Sequence, residues 1–182
     1  VAITRARYSV GIVFDYDEAA GERGLGHLVE HLVCKNFEDL WSEYDSKKVR
    51  WNAYTSTSKI VFYMTGLDRY ISYYKEDFLE RVIGGLKADK DAFNKERKIV
   101  IEEYLDNFAS PESAHYYNLG RYLFSDYGAI GSKTDIDNFK YSNVVDFYDK
   151  YMRYPVRIIN VSKNSSFGGG MGDLFGGAVQ LR

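Results

Sequence analysis

Three residues in one short stretch have the types and spacing for metal chemistry: His27, Glu30 and His31, in Gly24-Leu25-Gly26-His27-Leu28-Val29-Glu30-His31. If the stretch is helical, each residue turns ~100°. The two imidazoles, four residues apart, then lie about 40° apart on one face, and Glu30 falls on the same half of the helix. Two imidazoles can hold one metal while the carboxylate stands beside its open position. Leu25, Leu28, Leu32 and Val33 give the helix apolar surface to seat it in a core.

A catalytic zinc ion takes three protein ligands and keeps a fourth position for water, so one more ligand must come from elsewhere. The best candidate stretch is Phe93-Asn94-Lys95-Glu96-Arg97-Lys98-Ile99-Val100-Ile101-Glu102-Glu103, which reads as a helix. Glu96 and Glu103, seven apart, share a face about two turns from each other, and Glu102 points about 100° away from Glu103. Cys34 also falls on the metal face, three residues after His31. A thiolate there could bind zinc, but a small buried side chain one turn beyond the site is the commoner role. His115, the third histidine, reads as structural.

The elements that must position these residues follow from pattern. Tyr8 to Phe14 reads as a strand. Asp15 to Gly24 is a polar, Gly-containing loop, with Glu22 placed to help the first turn of a helix from Gly24 to Asn36. Phe37 to Ser46 reads as a short helix with Trp41 and Tyr44 inward. Val49 to Met64 is the longest strand signal, rich in Val, Ile, Thr, Tyr and Phe. Leu67 to Ile83 is a helix with an inward stripe of Tyr70, Ile71, Tyr74, Phe78, Leu79 and Val82, stopped by Gly84-Gly85. A helix over Ala92 to Phe108 carries Glu96 and Glu103, and Pro111 opens the next one. Thr134-Asp135 offers an N-cap to a short turn. Ser142 to Tyr151 is helical, and Val156 to Val161 is a last strand. Residues 164–182 form a Gly-rich tail or linker after a domain spanning 1–163. The expected fold class is α+β: a mostly antiparallel sheet of about four to six strands with helices packed on one face.

Composition narrows the functions. The chain has 182 residues, the size of one domain, and is 45% hydrophobic and 16% aromatic, enough for a real core. A net charge of -2 and a pI near 6.0 argue against nucleic acid or an anionic membrane as partner. There is no run of 18 apolar residues to span a membrane and no signal peptide pattern. One cysteine precludes an internal disulfide framework and fits a reducing compartment, so a cytoplasmic location is favoured. Seventeen tyrosines could line a peptide-binding surface, although core edges account for most.

The stretches HLVEH and FNKERKIVIEE, taken in order, resemble the inverzincin peptidases of the pitrilysin, insulin-degrading and mitochondrial-processing group. Trp51-Asn52-Ala53-Tyr54-Thr55-Ser56 is similar to that family's Asn-Ala-x-Thr strand. Tyr127-Gly128-Ala129-Ile130-Gly131 and Phe147-Tyr148-Asp149-Lys150-Tyr151 resemble its later landmarks. The resemblance runs from about Ser9 to about Val161. It implies that His27, His31 and Glu103 hold Zn²⁺, that Glu96 supports them from outside the ligand set, and that Glu30 is the general base. It also implies that an extended peptide adds as a strand along Asn52, Ala53, Tyr54 and Thr55. Family members with full activity carry at least two such domains, so the implied partners are a peptide substrate and either further copies of this chain or a separate half-domain.

Three functions fit these residues: a zinc endopeptidase of short or unfolded peptides, a non-catalytic peptide-binding or assembly subunit that retains zinc, and a purely structural zinc site. The endopeptidase is favoured because a relic site has no need of Glu30, and closed structural sites favour Cys-rich ligation that a single cysteine cannot give.

Overall fold

The computed structural model describes residues 7–124, 128–155 and 157–162. The Gly-rich segment expected as a tail lies outside them. Four strands form one antiparallel sheet: β1 (Arg7–Asp15), β2 (Arg50–Thr55), β3 (Lys59–Leu67) and β4 (Arg157–Ser162), in the order β2-β3-β1-β4. The fold class is therefore α+β, with the strand count at the low end of the expectation.

Period-two alternation gives the sheet two unlike faces. Val10, Ile12 and Phe14 of β1 and Ile60, Phe62 and Met64 of β3 point into the main core. Helices cover that face: α1 (Leu25–Cys34), α2 (Trp41–Ser46), α3 (Asp68–Ile83), α4 (Lys90–Asp106), α5 (Pro111–Phe124), α6 (Lys133–Asn138) and α7 (Tyr141–Tyr151) follow in chain order. The inward stripe expected for α3 is buried at Ile71, Tyr74, Phe78, Leu79 and Val82. On the other face Val13, Val61 and Ile159 make a small separate apolar cluster. Among the described residues, no helix is long and apolar enough to cross a membrane.

The stretch read as one long strand is a hairpin. Sixteen residues of unbroken strand would run about 50 Å, far beyond ordinary strand length. Ser56, Thr57 and Ser58 break it: Ser56 N–H donates to Lys59 O (2.8 Å), and the Ser56 hydroxyl accepts from Lys59 N–H (3.1 Å). Local side-chain bonding of this kind closes turns. Trp41 was expected inward with Tyr44, but it is 64% exposed and only Tyr44 is buried. The chain tightens into a 3-10 turn over Lys35–Leu40 before α2 begins, which rotates Trp41 outward to meet Trp51 edge-on. The turn before α6 is capped at Ser132, not at Thr134-Asp135. Asp135 instead accepts from the backbone N–H of Arg23.

Several tyrosines tie helices to loops. Tyr148 OH donates to Val82 O (2.6 Å), Tyr141 OH to Ala88 O (2.8 Å) and Tyr151 OH to Asp17 O (2.8 Å). A ring in or against the core with its hydroxyl on a backbone carbonyl, of the last turn of α3 for Tyr148 and of loops for the other two, satisfies both halves of the side chain. That use, not a peptide-facing surface, accounts for these three.

Candidate metal centre

Helix α1 presents His27, Glu30 and His31, and α4 packs against it. The inward stripe of α4 is Phe93, Glu96 and Val100, all buried, with Glu103 one step further along the same face. Two carboxylates in an otherwise apolar seam need partners, and α1 supplies them.

The two Nε2 atoms of His27 and His31 lie 3.2 Å apart. Glu103 Oε2 lies 3.5 Å from the first and 3.6 Å from the second. Three lone-pair atoms this close repel one another unless a cation lies between them. The edges also match the ligand spacing of a tetrahedral zinc site, about 3.4 Å when each ligand is ~2.0–2.1 Å from the metal. His27, His31 and Glu103 are also the one group of potential metal ligands found among the described residues. Zn²⁺ therefore fits this donor set.

The surroundings suit that role. His31 Nδ1–H donates to Glu96 Oε2 (3.2 Å), which leaves Nε2 with a free lone pair. Glu96 Oε1 in turn accepts from Lys35 Nζ (2.7 Å). Glu96 thus fixes the ring of His31, and the pairing with Lys35 explains how a carboxylate can be almost wholly buried. Burial, with His31 beside it, lowers the pKa of His27 to about 4 and keeps its imidazole neutral. His27 Nδ1 is buried and has no hydrogen-bond partner among the described residues.

Glu30 is 9% exposed and is held by the hydroxyl of Thr55, which donates to its Oε2 at 2.5 Å. Burial raises the Glu30 carboxyl above its usual range; the Thr55 bond and His31 pull it back, and Glu103 adds to the rise. The side chain of Thr55, expected among substrate-binding residues, is turned to Glu30, which leaves its backbone on β2 as the part that could meet a peptide.

The remaining expected residues lie on β2, an edge strand among the described residues. Antiparallel pairing alternates. The Ser56 bond to Lys59 makes Tyr54 and Asn52 bond to β3, so Ala53 and Thr55 direct their backbone N–H and C=O to the free edge. Asn52 and Tyr54 are exposed on the sheet face away from the helices. Cys34 lies outside the group of candidate ligands. Burial pushes its thiol up, with Glu30 and Glu96 adding, so it stays protonated. His115 is exposed on α5 beside Tyr116 and takes no part.

Two supports were not legible in the motif. Glu18, not Glu22, caps α1: its carboxylate accepts from the backbone N–H of Gly24 (3.0 Å) and Gly26 (2.7 Å). Glu22 accepts from Ala19 N–H instead. Gly131, at φ 76, packs its bare Cα against Arg23 and Gly24, where a Cβ would collide with backbone. Gly131, at the end of the Tyr127–Gly131 landmark, whose Tyr127 lies outside the described residues, therefore braces the start of α1.

No protein-family model and no curated protein matches the chain, but solved structures do. Over 86% of its length it is similar to 40% of a protease from Helicobacter pylori, with a TM-score of 0.72 and 23% identity. Over 87% of its length it is similar to 40% of an M16-like peptidase from Alicyclobacillus acidocaldarius, with a TM-score of 0.69 and 16% identity. Over 85% it is similar to 19% of the ferredoxin protease FusC, solved in complex with Arabidopsis ferredoxin, with a TM-score of 0.65 and 17% identity. The chain spans at most 40% of the length of each of these proteins. At such identities the likeness is one of fold, and the fold of this chain is that of a pitrilysin-type, M16-like peptidase half-domain.

Proposed function

We propose that this chain is the metal-binding half of a zinc-dependent endopeptidase. Its substrates are short or unfolded peptides bound as an added strand on β2, and a second domain or subunit completes the site. The observation that carries the reading is the convergence of His27 Nε2, His31 Nε2 and Glu103 Oε2, with the Glu30 carboxylate beside them on the same helix. An edge strand offers unpaired N–H and C=O groups to any extended peptide, and β2 brings Thr55 and Glu30 into contact at its end.

Zinc bound by these three residues supplies Lewis acidity and acidifies a water molecule. Glu30 accepts the proton of the attacking water and passes it to the leaving amine. Thr55 holds one oxygen of Glu30 and leaves the other for this transfer. Glu96 and Lys35 keep His31 in the tautomer that ligates. Ala53 and Thr55 hold the peptide backbone in register with the base.

Cleavage of an unstructured peptide by the zinc-loaded chain, beside a Glu30→Gln control, tests this. Cleavage by the wild-type chain that falls ~10²–10⁴-fold in the variant is the expected result. Equal background in both would sink a stand-alone enzyme. It would favour the second reading, a non-catalytic peptide-binding or assembly subunit with a retained zinc site.

A further inference from the structure

A second cluster of chemistry lies at the opposite end of β2 from the metal centre. Arg7, Lys48 and Arg50 line one cleft of about 470 Å³, with Asp45, Thr65, Gly66 and Leu67. All three cations are exposed, and among the described residues none forms an ion pair. Asp45 is the one carboxylate among the lining residues, which leaves the cleft with a surplus of positive charge in a chain whose net charge is -2.

The sheet explains why they meet. Arg50 pairs with Thr65 and Arg7 with Leu67, and alternation puts all four side chains on the face that carries no helices. Lys48 joins them from the turn before β2. Its φ of 55, the one left-handed backbone among the described non-glycine residues, closes the C-terminal end of α2, where Val49 N–H donates to Tyr44 O and Lys48 N–H to Asp45 O. Gly66 permits the close approach of this turn: a Cβ there would come within 3.4 Å of Lys48 O and Val49 Cα.

We propose that Arg7, Lys48 and Arg50 form a carboxylate subsite that reads an acidic group on the peptide lying along β2. The inference rests on the strand-addition reading above. From Thr55 to Arg50 the strand runs roughly 17 Å, so the acidic group stands about five residues along the peptide from the one beside Thr55. Alternate side chains of an added strand point to the helix-free face, where Asn52 and Tyr54 line the way between the two sites. Guanidinium groups suit carboxylates because they can donate two parallel hydrogen bonds. The carboxylate can belong to a Glu or Asp side chain or to the peptide's own C-terminus.

The test uses the zinc-loaded chain carrying Glu30→Gln and reads peptide binding by fluorescence anisotropy, so it does not depend on turnover. The probes are capped, extended peptides of roughly twelve residues, long enough to cover β2, with Glu, Gln or Lys near either end. A further Gln peptide has a free C-terminal carboxylate. The Glu peptide should bind about tenfold tighter than the Lys peptide at low salt, with the gap narrowing as salt rises. Arg50→Glu, an exposed change, should abolish or reverse that order. Tighter binding by the free-terminus peptide alone would support the subsite and assign it to chain ends. Equal binding of all probes, or a preference unchanged in Arg50→Glu, would overturn the subsite and leave strand addition standing. If none of the peptides bound, strand addition and the subsite would fall together.

Discussion

Glu96 is not one of the three converging groups, yet it decides how His31 presents its nitrogen. Its Oε2 accepts a hydrogen bond from His31 Nδ1–H, and its Oε1 is fixed by Lys35. A glutamine in its place keeps one acceptor but turns an amide N–H₂ towards either His31 or Lys35, both of which are donors there. We expect Glu96→Gln to lower zinc affinity about 10–100-fold, read by competition with a coloured chelator. Glu30→Gln should leave affinity within about threefold, because Glu30 is not one of the converging ligands. A larger loss in Glu30→Gln than in Glu96→Gln would reverse the two roles. The shared faces were legible in the sequence because helical geometry is local, whereas the division of roles between the acids rests on the family resemblance. Spacings of four and seven put His27, His31, Glu96 and Glu103 on shared faces whatever the rest of the chain does. The hydroxyl of Thr55 on Glu30 was not legible, since it depends on how a strand from a different part of the chain crosses α1.

At the scale of elements, α1 is held by two devices the motif does not contain. The first is Glu18, whose carboxylate closes the open N–H groups at the helix start. Burial pushes its pKa from 4.5 to about 7, with the two backbone bonds acting against the rise. Between those values the folded chain holds a proton that the unfolded chain has released. The group's contribution to stability is therefore full below about 4.5 and lost as pH rises through about 7. The difference in unfolding free energy between the wild type and Glu18→Gln, from urea titrations at several pH values, should fall across that window and level off above it. A difference that rises with pH would contradict the assignment. The second device is Gly131. With a positive φ and backbone against its Cα, Gly131→Ala should cost roughly 2–4 kcal/mol in the same titrations. An alanine tolerated within about 0.5 kcal/mol would show that the loop can retreat from α1. Neither device could be found from periodicity, because each acts between segments far apart in the chain or outside any regular element. The hairpin was different. Its signal was present as Ser56-Thr57-Ser58 and an implausible strand length, but β-branched and aromatic residues on both sides outweighed the turn.

At the scale of the molecule, the candidate metal centre would cross-link α1 and α4 at the rim of a core that is complete without it. The large buried side chains Phe14, Phe37, Phe62 and Phe78 and the seam of α1, α3 and the sheet carry the packing. None of them depends on the ligands. This separates a catalytic site from a structural one, since structural zinc supplies folding energy outright and its removal unfolds the domain. The chain stripped by a chelator should keep its far-ultraviolet circular dichroism and still melt cooperatively. Zinc should then act only by mass action. At a free concentration about a hundred times its Kd it adds ~2.7 kcal/mol to the folded state, which for a chain of this size moves the melting temperature up by roughly 5–10 °C. Glu103→Ala should remove most of that shift and leave the melting temperature of the metal-free chain nearly unchanged, because the side chain of Glu103 is 43% exposed and supports no core contact. Collapse of the dichroism signal on chelation would instead make the zinc a structural element, and the convergence of two imidazoles and a carboxylate would then be explained without peptide hydrolysis.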